Sequence, residues 1–176
     1  LGHRGQGDLA GAGSGDEEIA EVGQQLVAEA ADLDSLLLSD NGNWYSASNR
    51  GAFCVARSGD GEIVATGGLH GFSRKPGTSS RLAGRYGDPD AVCQIVRVYL
   101  EPSVRRKGLG RRIIPLLEAK PQPLGYRPAY LHADAQAFGT LRFWQRCGYR
   151  KFGRFTYPAN GRADTGVDFD KALSGA

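Results

Sequence analysis

Between Pro102 and Leu117 the chain sets Arg105, Arg106, Lys107, Arg111 and Arg112 around Gly108 and Gly110, without one Asp or Glu. Upstream, Ile95-Val-Arg-Val-Tyr-Leu100 is rich in β-branched residues and reads as a strand that Pro102 stops. Downstream, a helix begins. The first amides of a helix have no partner within it, and the helix dipole adds partial positive charge there. Glycine lacks the Cβ that would hold a ligand off the backbone. Strand, basic glycine turn and helix start, in that order, suit a group with several negative oxygens, most naturally a pyrophosphate. The same string also reads as a basic turn that merely opens a helix.

Spacing separates this site from its competitors. A P-loop needs four residues between its first Gly and a Gly-Lys-Ser/Thr, and no such string occurs. A dinucleotide fingerprint needs a third small residue where Ile113 stands, and an acidic residue some way downstream for the ribose. A nucleic-acid patch would use the same cations. Yet 22 basic residues face 19 acidic ones, a net charge of +3, so the chain as a whole gives that reading no support.

Other residues could move protons. His132 and Asp134 lie two apart in a strand-forming run and share one face with Tyr130. They suit a base or relay, or equally a hydrogen-bonded strand edge. His70 ends a second strand-forming run and reads as a base or as a loop histidine. Tyr99 faces away from the side chains of Val98 and Leu100 and is expected in the core. Arg97, if buried, needs an acidic partner such as Asp90, Glu101 or Asp134.

These groups must be positioned by a protein of ordinary globular composition, 40% hydrophobic and 23% charged. Residues 1–13, with five glycines, read as a flexible tail, and 14–176 as a single domain. Ser14-Gly-Asp-Glu17 has capping-box spacing, followed by an apolar stripe at Ile19, Val22, Leu26, Ala30 and Leu33. A short helix at 34–39 and a break at Asn41-Gly-Asn43 follow. A hairpin is expected from Ala52–Arg57 through Ser58-Gly-Asp-Gly61 to Leu69. Residues 73–90 read as a long irregular loop. Next come the strand 92–100, a helix to Ala119 that Pro115 should kink or shorten, and a strand at 129–133. A helix from Ala137 to Cys147 ends at Gly148, and short strands near 149–156 and 167–169 close the chain. The strand–helix–strand unit at 92–133 needs a crossover, which makes its strands parallel neighbours. The fold class is therefore α/β (α+β) with a mixed sheet. Cys54, Cys93 and Cys147 fit neither a disulfide framework nor a metal-site spacing, and reduced thiols in a cytoplasmic protein are expected. No apolar stretch is long enough to span a membrane.

Arg105-Arg-Lys-Gly108-Leu-Gly110 resembles the phosphate-binding signature of the GNAT superfamily, the acyl-CoA-dependent N-acetyltransferases. Gly61-Glu-Ile-Val-Ala-Thr-Gly-Gly-Leu69 is similar to that family's early hairpin. Leu141-Arg-Phe-Trp-Gln-Arg-Cys-Gly-Tyr149 is similar to its late helix-to-strand signature, and Val167–Leu173 falls where its last strand should. The resemblance runs from about residue 16 to 173.

The resemblance implies a central mixed, mostly antiparallel sheet with one parallel pair splayed at the cofactor site, flanked by helices. It implies acetyl-CoA as cosubstrate, with the backbone of Val98, Tyr99 and Leu100 along the pantetheine arm. Amides and cations of Arg105, Arg106, Lys107, Gly108, Leu109, Gly110 and Arg111 would hold the pyrophosphate, and the Leu100 N–H would face the thioester carbonyl. The acceptor is expected to be a small-molecule primary amine, with no nucleic acid or membrane partner and with room for a homodimer. Catalytic candidates are His132, Asp134 and Tyr149. The family's acidic tyrosine falls on Trp144, whose indole cannot serve as a proton donor. A non-catalytic acyl-CoA-binding module on the same fold is the alternative.

Overall fold

A computed structural model describes residues 44–159 and 161–173. The expected capping box, apolar stripe and short helix before Trp44 lie outside the described residues. Six strands form one sheet in the order β1-β2-β3-β4-β6-β5: β1 (Ala52–Arg57), β2 (Ile63–Gly71), β3 (Cys93–Leu100), β4 (Pro128–Asp134), β5 (Arg150–Ala159) and β6 (Arg162–Ala172). Every neighbouring pair is antiparallel except β3 and β4. The mixed α/β class expected from the chain is the class observed.

Among the described residues three α-helices accompany the sheet: α1 (Pro76–Arg81), α2 (Leu109–Glu118) and α3 (Phe138–Arg146). On α2, Leu109, Ile113, Ile114 and Leu117 are buried at helical spacing, while Arg111, Arg112 and Pro115 face solvent. Pro115 forfeits one intrahelical donor on this wet side, and the helix still runs on to Glu118. Helix α3 ends as the chain indicates. Gly148 takes a φ of +87°, its N–H reaches the Gln145 carbonyl, and the Tyr149 N–H reaches that of Trp144.

The two sheet faces differ in chemistry. One carries Leu69, Cys93, Ile95, Ala129, Leu131, Val167 and Phe169, packed with Ile114 and Leu117 of α2 and Trp144 of α3. The other carries His70, Gln94, Tyr130, His132, Asp168 and Asp170, which sit opposite one another in the ladders. Segment 72–92 covers part of this second face through Phe72, Leu82, Tyr86 and Val92. That segment is less irregular than its Gly and Pro content indicates. Pro76 opens α1 at a position where a missing N–H costs nothing, and Asp88 caps a short turn by accepting from the Asp90 amide. The closing strands are long, ten and eleven residues, rather than short. Strand β5 lies at the sheet edge, which is why it tolerates Pro158. All three cysteines are free, and burial pushes the Cys93 thiol up to about 12.

Candidate active site

The parallel pair is where the sheet opens. Strands β3 and β4 pair only at Cys93–Ala129 and Gln94–Tyr130, and beyond that point β4 no longer pairs with β3. A bulge helps to steer β3 away. Between Tyr99 and Val96, β3 holds one residue more than β2 does opposite it, and Arg97 there has a φ of +57°. The Thr66 hydroxyl donates to the Arg97 carbonyl at 2.8 Å and holds the distortion in place. Arg97 is exposed, so it needs none of the buried ion pairs expected for it. Tyr99 is also 49% exposed rather than core, with Arg105 stacked 5.7 Å from its ring. Val98 packs half-buried on the helical side.

Backbone direction selects Leu100. The Glu101 N–H donates to the Val64 carbonyl on β2 at 2.8 Å. Successive residues of a strand alternate, so the N–H and carbonyl of Leu100 point the other way, into the opening. The carbonyl accepts from Arg105 Nε at 2.8 Å, which leaves the N–H as the group Leu100 offers there.

At the far end of the opening α2 begins. Gly108 is its N-cap with a φ of +86°, no side chain caps it, and no acidic residue lies in the first turn. A Cβ built on Gly108 would meet nothing within 4 Å, so the backbone there is open to a ligand. Arg105, Arg106, Lys107 and Arg111 are all exposed around it. Arg106 also has positive φ, +64°. Leu109 turns inward to the core and can contribute only its backbone. Gly110 has a packing reason for its identity, since a Cβ would come within 2.8 Å of the Phe143 ring. The residues present fit a pyrophosphate at the helix start and an extended arm along β3.

On the second face, Tyr130 organises the polar groups. Its hydroxyl donates to Asp168 Oδ1 at 2.7 Å, accepts from Arg81 Nη2 at 3.0 Å, and lies 3.3 Å from His132 Nδ1. The hydroxyl has one proton, already given to Asp168, so His132 must donate from Nδ1. Its Nε2 therefore carries the lone pair. His132 is exposed at the sheet surface, yet desolvation of its ring against Tyr130 and Phe155, reinforced by Arg81 and Lys75, holds its pKa below 6.5 against the pull of Asp168. The imidazole is thus neutral and basic at pH 7. Tyr130 cannot titrate usefully, because burial and the bond to Asp168 raise its pKa.

His70 lies inside β2, not in a loop, and is 1% exposed. Its Nδ1 donates to the Gly71 carbonyl at 2.9 Å, and burial, with Lys75 and Arg74, keeps it neutral. Across the ladder stands Gln94, at the last pair before β3 and β4 part. Gln94 is 3% exposed and its Oε1 has no hydrogen-bond partner among the described residues. No motif or spacing marks Gln94, which becomes notable only through its place at the root of the opening.

The other expected site residues lie apart from this cluster. Asp134 spends its Oδ1 on the Gln136 amide at 2.9 Å, a turn contact leading into α3. Tyr149 is buried on the helical side, edge-on to Trp144 at 5.2 Å. Its hydroxyl ends beside the Glu118 carboxylate without a well-formed hydrogen bond, and burial followed by Glu118 raises its pKa. Trp144, also buried, packs on Phe143.

The sheet thus opens between two parallel strands toward a helix start that is ringed by cations and lacks a side-chain cap. Residues 22–149 match the Acetyltransferase (GNAT) family, and the chain belongs to that family. It is 31% identical over 94 residues to Probable N-acetyltransferase 14 of Danio rerio, a stretch that is 53% of this chain and 28% of that protein. The chain thus spans little more than a quarter of that relative. Among solved structures, its fold is similar to a phosphinothricin acetyltransferase from Sinorhizobium meliloti in complex with AcCoA, with a TM-score of 0.56 at 16% identity, covering 72% of this chain and 63% of that one. It is also similar to spermidine N-acetyltransferase from Vibrio cholerae in complex with CoA and spermine, with a TM-score of 0.55 at 14% identity, covering 72% and 68%. Among the described residues no helix is long and apolar enough to cross a membrane, and no His, Cys, Asp and Glu cluster could hold a metal ion.

Proposed function

We propose that this protein transfers the acetyl group of acetyl-CoA to a primary amine of a small molecule by direct attack. The observation that carries this reading is the gap between β3 and β4, with the Leu100 N–H directed into it and the open Gly108 turn at its end. The first amides of α2 and the surrounding cations bind the pyrophosphate. The β3 backbone aligns the arm as an added strand would be aligned. Acetyl-CoA supplies the activated acyl carbon.

His132 Nε2 accepts the proton that the amine loses as its nitrogen bonds to the thioester carbon and the carbon–sulfur bond breaks. Tyr130 and Asp168 keep that imidazole in the required tautomer. The Leu100 N–H, further along β3, takes a carbonyl of the extended arm. Gln94 Oε1, a buried acceptor lacking a donor, orients the incoming amine. The departing thiolate takes its proton from solvent, because Trp144 has none to give and Tyr149 is sealed in the core. A non-catalytic acyl-CoA-binding module is the second reading, favoured by that same Trp144. Thiol release from acetyl-CoA on addition of amines separates the two: amine-dependent release supports the transferase, and tight CoA binding without it supports the module.

A further inference from the structure

A cavity of about 810 Å³ opens on the polar sheet face, lined among others by Arg81, Leu82, Arg85, Phe152, Phe155 and Asp168. Its two arginines are fixed in place. Arg81 grips Asp168 with two bonds of 2.7 Å and lies 3.7 Å over the Phe155 ring. Arg85 bonds Asp170 at 2.6 and 2.8 Å and lies 3.6 Å over Phe152. The partners of these pairs are unequally exposed. The arginine side chains are 28% and 36% exposed, their carboxylates 1% and 12%. The charge a ligand meets is therefore positive, although the pairs are formally neutral. Asp134, on the same face, is engaged by the Gln136 amide.

The cavity also adjoins the proposed base. The Phe155 ring meets the His132 ring edge-on at 5.4 Å. From His132 on β4 to Phe152 on β5 the sheet crosses two strand spacings, about 10 Å in all. Resting on the transferase reading above, we propose that the acceptor is an amine with a carboxylate at its other end, the amine at His132 and the carboxylate on Arg81 and Arg85. Both guanidiniums keep donors beyond those their aspartates use, and their planar geometry matches a carboxylate. A polyamine, the acceptor type of the Vibrio cholerae enzyme, would place cations against these exposed guanidiniums.

The test compares aminohexanoate, its primary amide and hexanediamine as acceptors with acetyl-CoA. The acid should be preferred in kcat/KM by about tenfold or more over both, the range of one hydrogen bond between charged groups. The paired variant Arg85→Gln with Asp170→Asn removes the exposed cation and its buried partner together, so net charge is unchanged. It should raise KM for the acid about tenfold with little change in kcat, and should not raise KM for the diamine. Arg85→Lys, which keeps the charge, should retain the preference. Equal use of acid and amide, or preference for the diamine, overturns the carboxylate subsite while leaving the transferase standing. Saturation-transfer NMR of aminohexanoate covers the case in which nothing is acetylated. Binding that the paired variant abolishes would then uphold the subsite and overturn the transferase, and absence of binding would overturn the subsite.

Discussion

His132 donates from Nδ1 to the Tyr130 hydroxyl at 3.3 Å, and that one contact decides which imidazole nitrogen can take a proton. The hydroxyl can accept because its own proton is committed to Asp168 at 2.7 Å. The arrangement performs the task of a base and its orienting carboxylate with a phenol between them. In the proposed mechanism Tyr130 is accordingly a positioning residue, and His132 the group that would meet the substrate.

Replacing His132 by Gln should lower kcat by about a hundredfold or more, the range of a lost general base. In the wild type, kcat/KM should fall on the acid side below pH 6.5, since protonation of His132 removes the base and its pKa is depressed. Tyr130→Phe should cost less and leave that acid limb present. A pH–rate profile of each variant checks both, and an unchanged limb in His132→Gln would assign the base elsewhere.

His70 and His132 also link stability to pH. Both pKa values lie below 6.5 in the folded protein, so the unfolded chain binds more protons just below that pH. Their contribution is complete above pH 6.5 and is lost as the pH falls through the folded values. Melting temperature should decline from pH 7 toward pH 5, and His70→Gln should flatten the decline.

Asp168→Asn should destabilise the fold by about 3 kcal/mol, because it breaks a pair whose carboxylate is almost completely buried. It also frees the Tyr130 proton and so unsettles the His132 tautomer. Chemical denaturation reads the first effect and kcat the second. Tyr149→Phe should do the reverse: it removes a buried hydroxyl that forms no well-formed hydrogen bond among the described residues, and should leave stability unchanged or higher, with turnover retained. Lost turnover in Tyr149→Phe would make that phenol the proton donor.

The two glycines of the basic turn should separate cleanly. Gly108→Val places a branched residue at a φ of +86° where the backbone is otherwise open, and should abolish CoA binding with a stability cost of about 1–2 kcal/mol. Gly110→Ala drives a methyl into Phe143, and should cost about 1–3 kcal/mol of stability with CoA affinity largely kept. Calorimetric titration with CoA and thermal melts distinguish the two.

The elements that were legible in the chain are those with strong local signals. Strand β3 and helix α2 follow from β-branched clustering and helical apolar spacing on either side of Pro102 and Gly108. The end of α3 follows from Gly148. The bulge at Arg97 was not legible, since an arginine at positive φ carries no turn residue to announce it. The full length of β5 and β6 was hidden because an edge hairpin exposes charged residues that interrupt the apolar alternation. The polar cluster was hidden for another reason. Arg81 and Asp168 meet across 87 residues of sequence, and nothing local marks either as the other's partner. His132 was visible as one candidate among several, and only the Tyr130 contact set it apart from Asp134.

Acetyl transfer by this protein is tested most directly by mass-spectrometric detection of acetylated product, run alongside thiol release, with acetyl-CoA and a panel of small primary amines. Amine-dependent CoA release in equal amount to N-acetyl product is expected, lost in Gly108→Val through binding and in His132→Gln through turnover. Failure of the wild-type protein to bind CoA at millimolar concentration, or binding with no acetyl transfer to any amine, would contradict it.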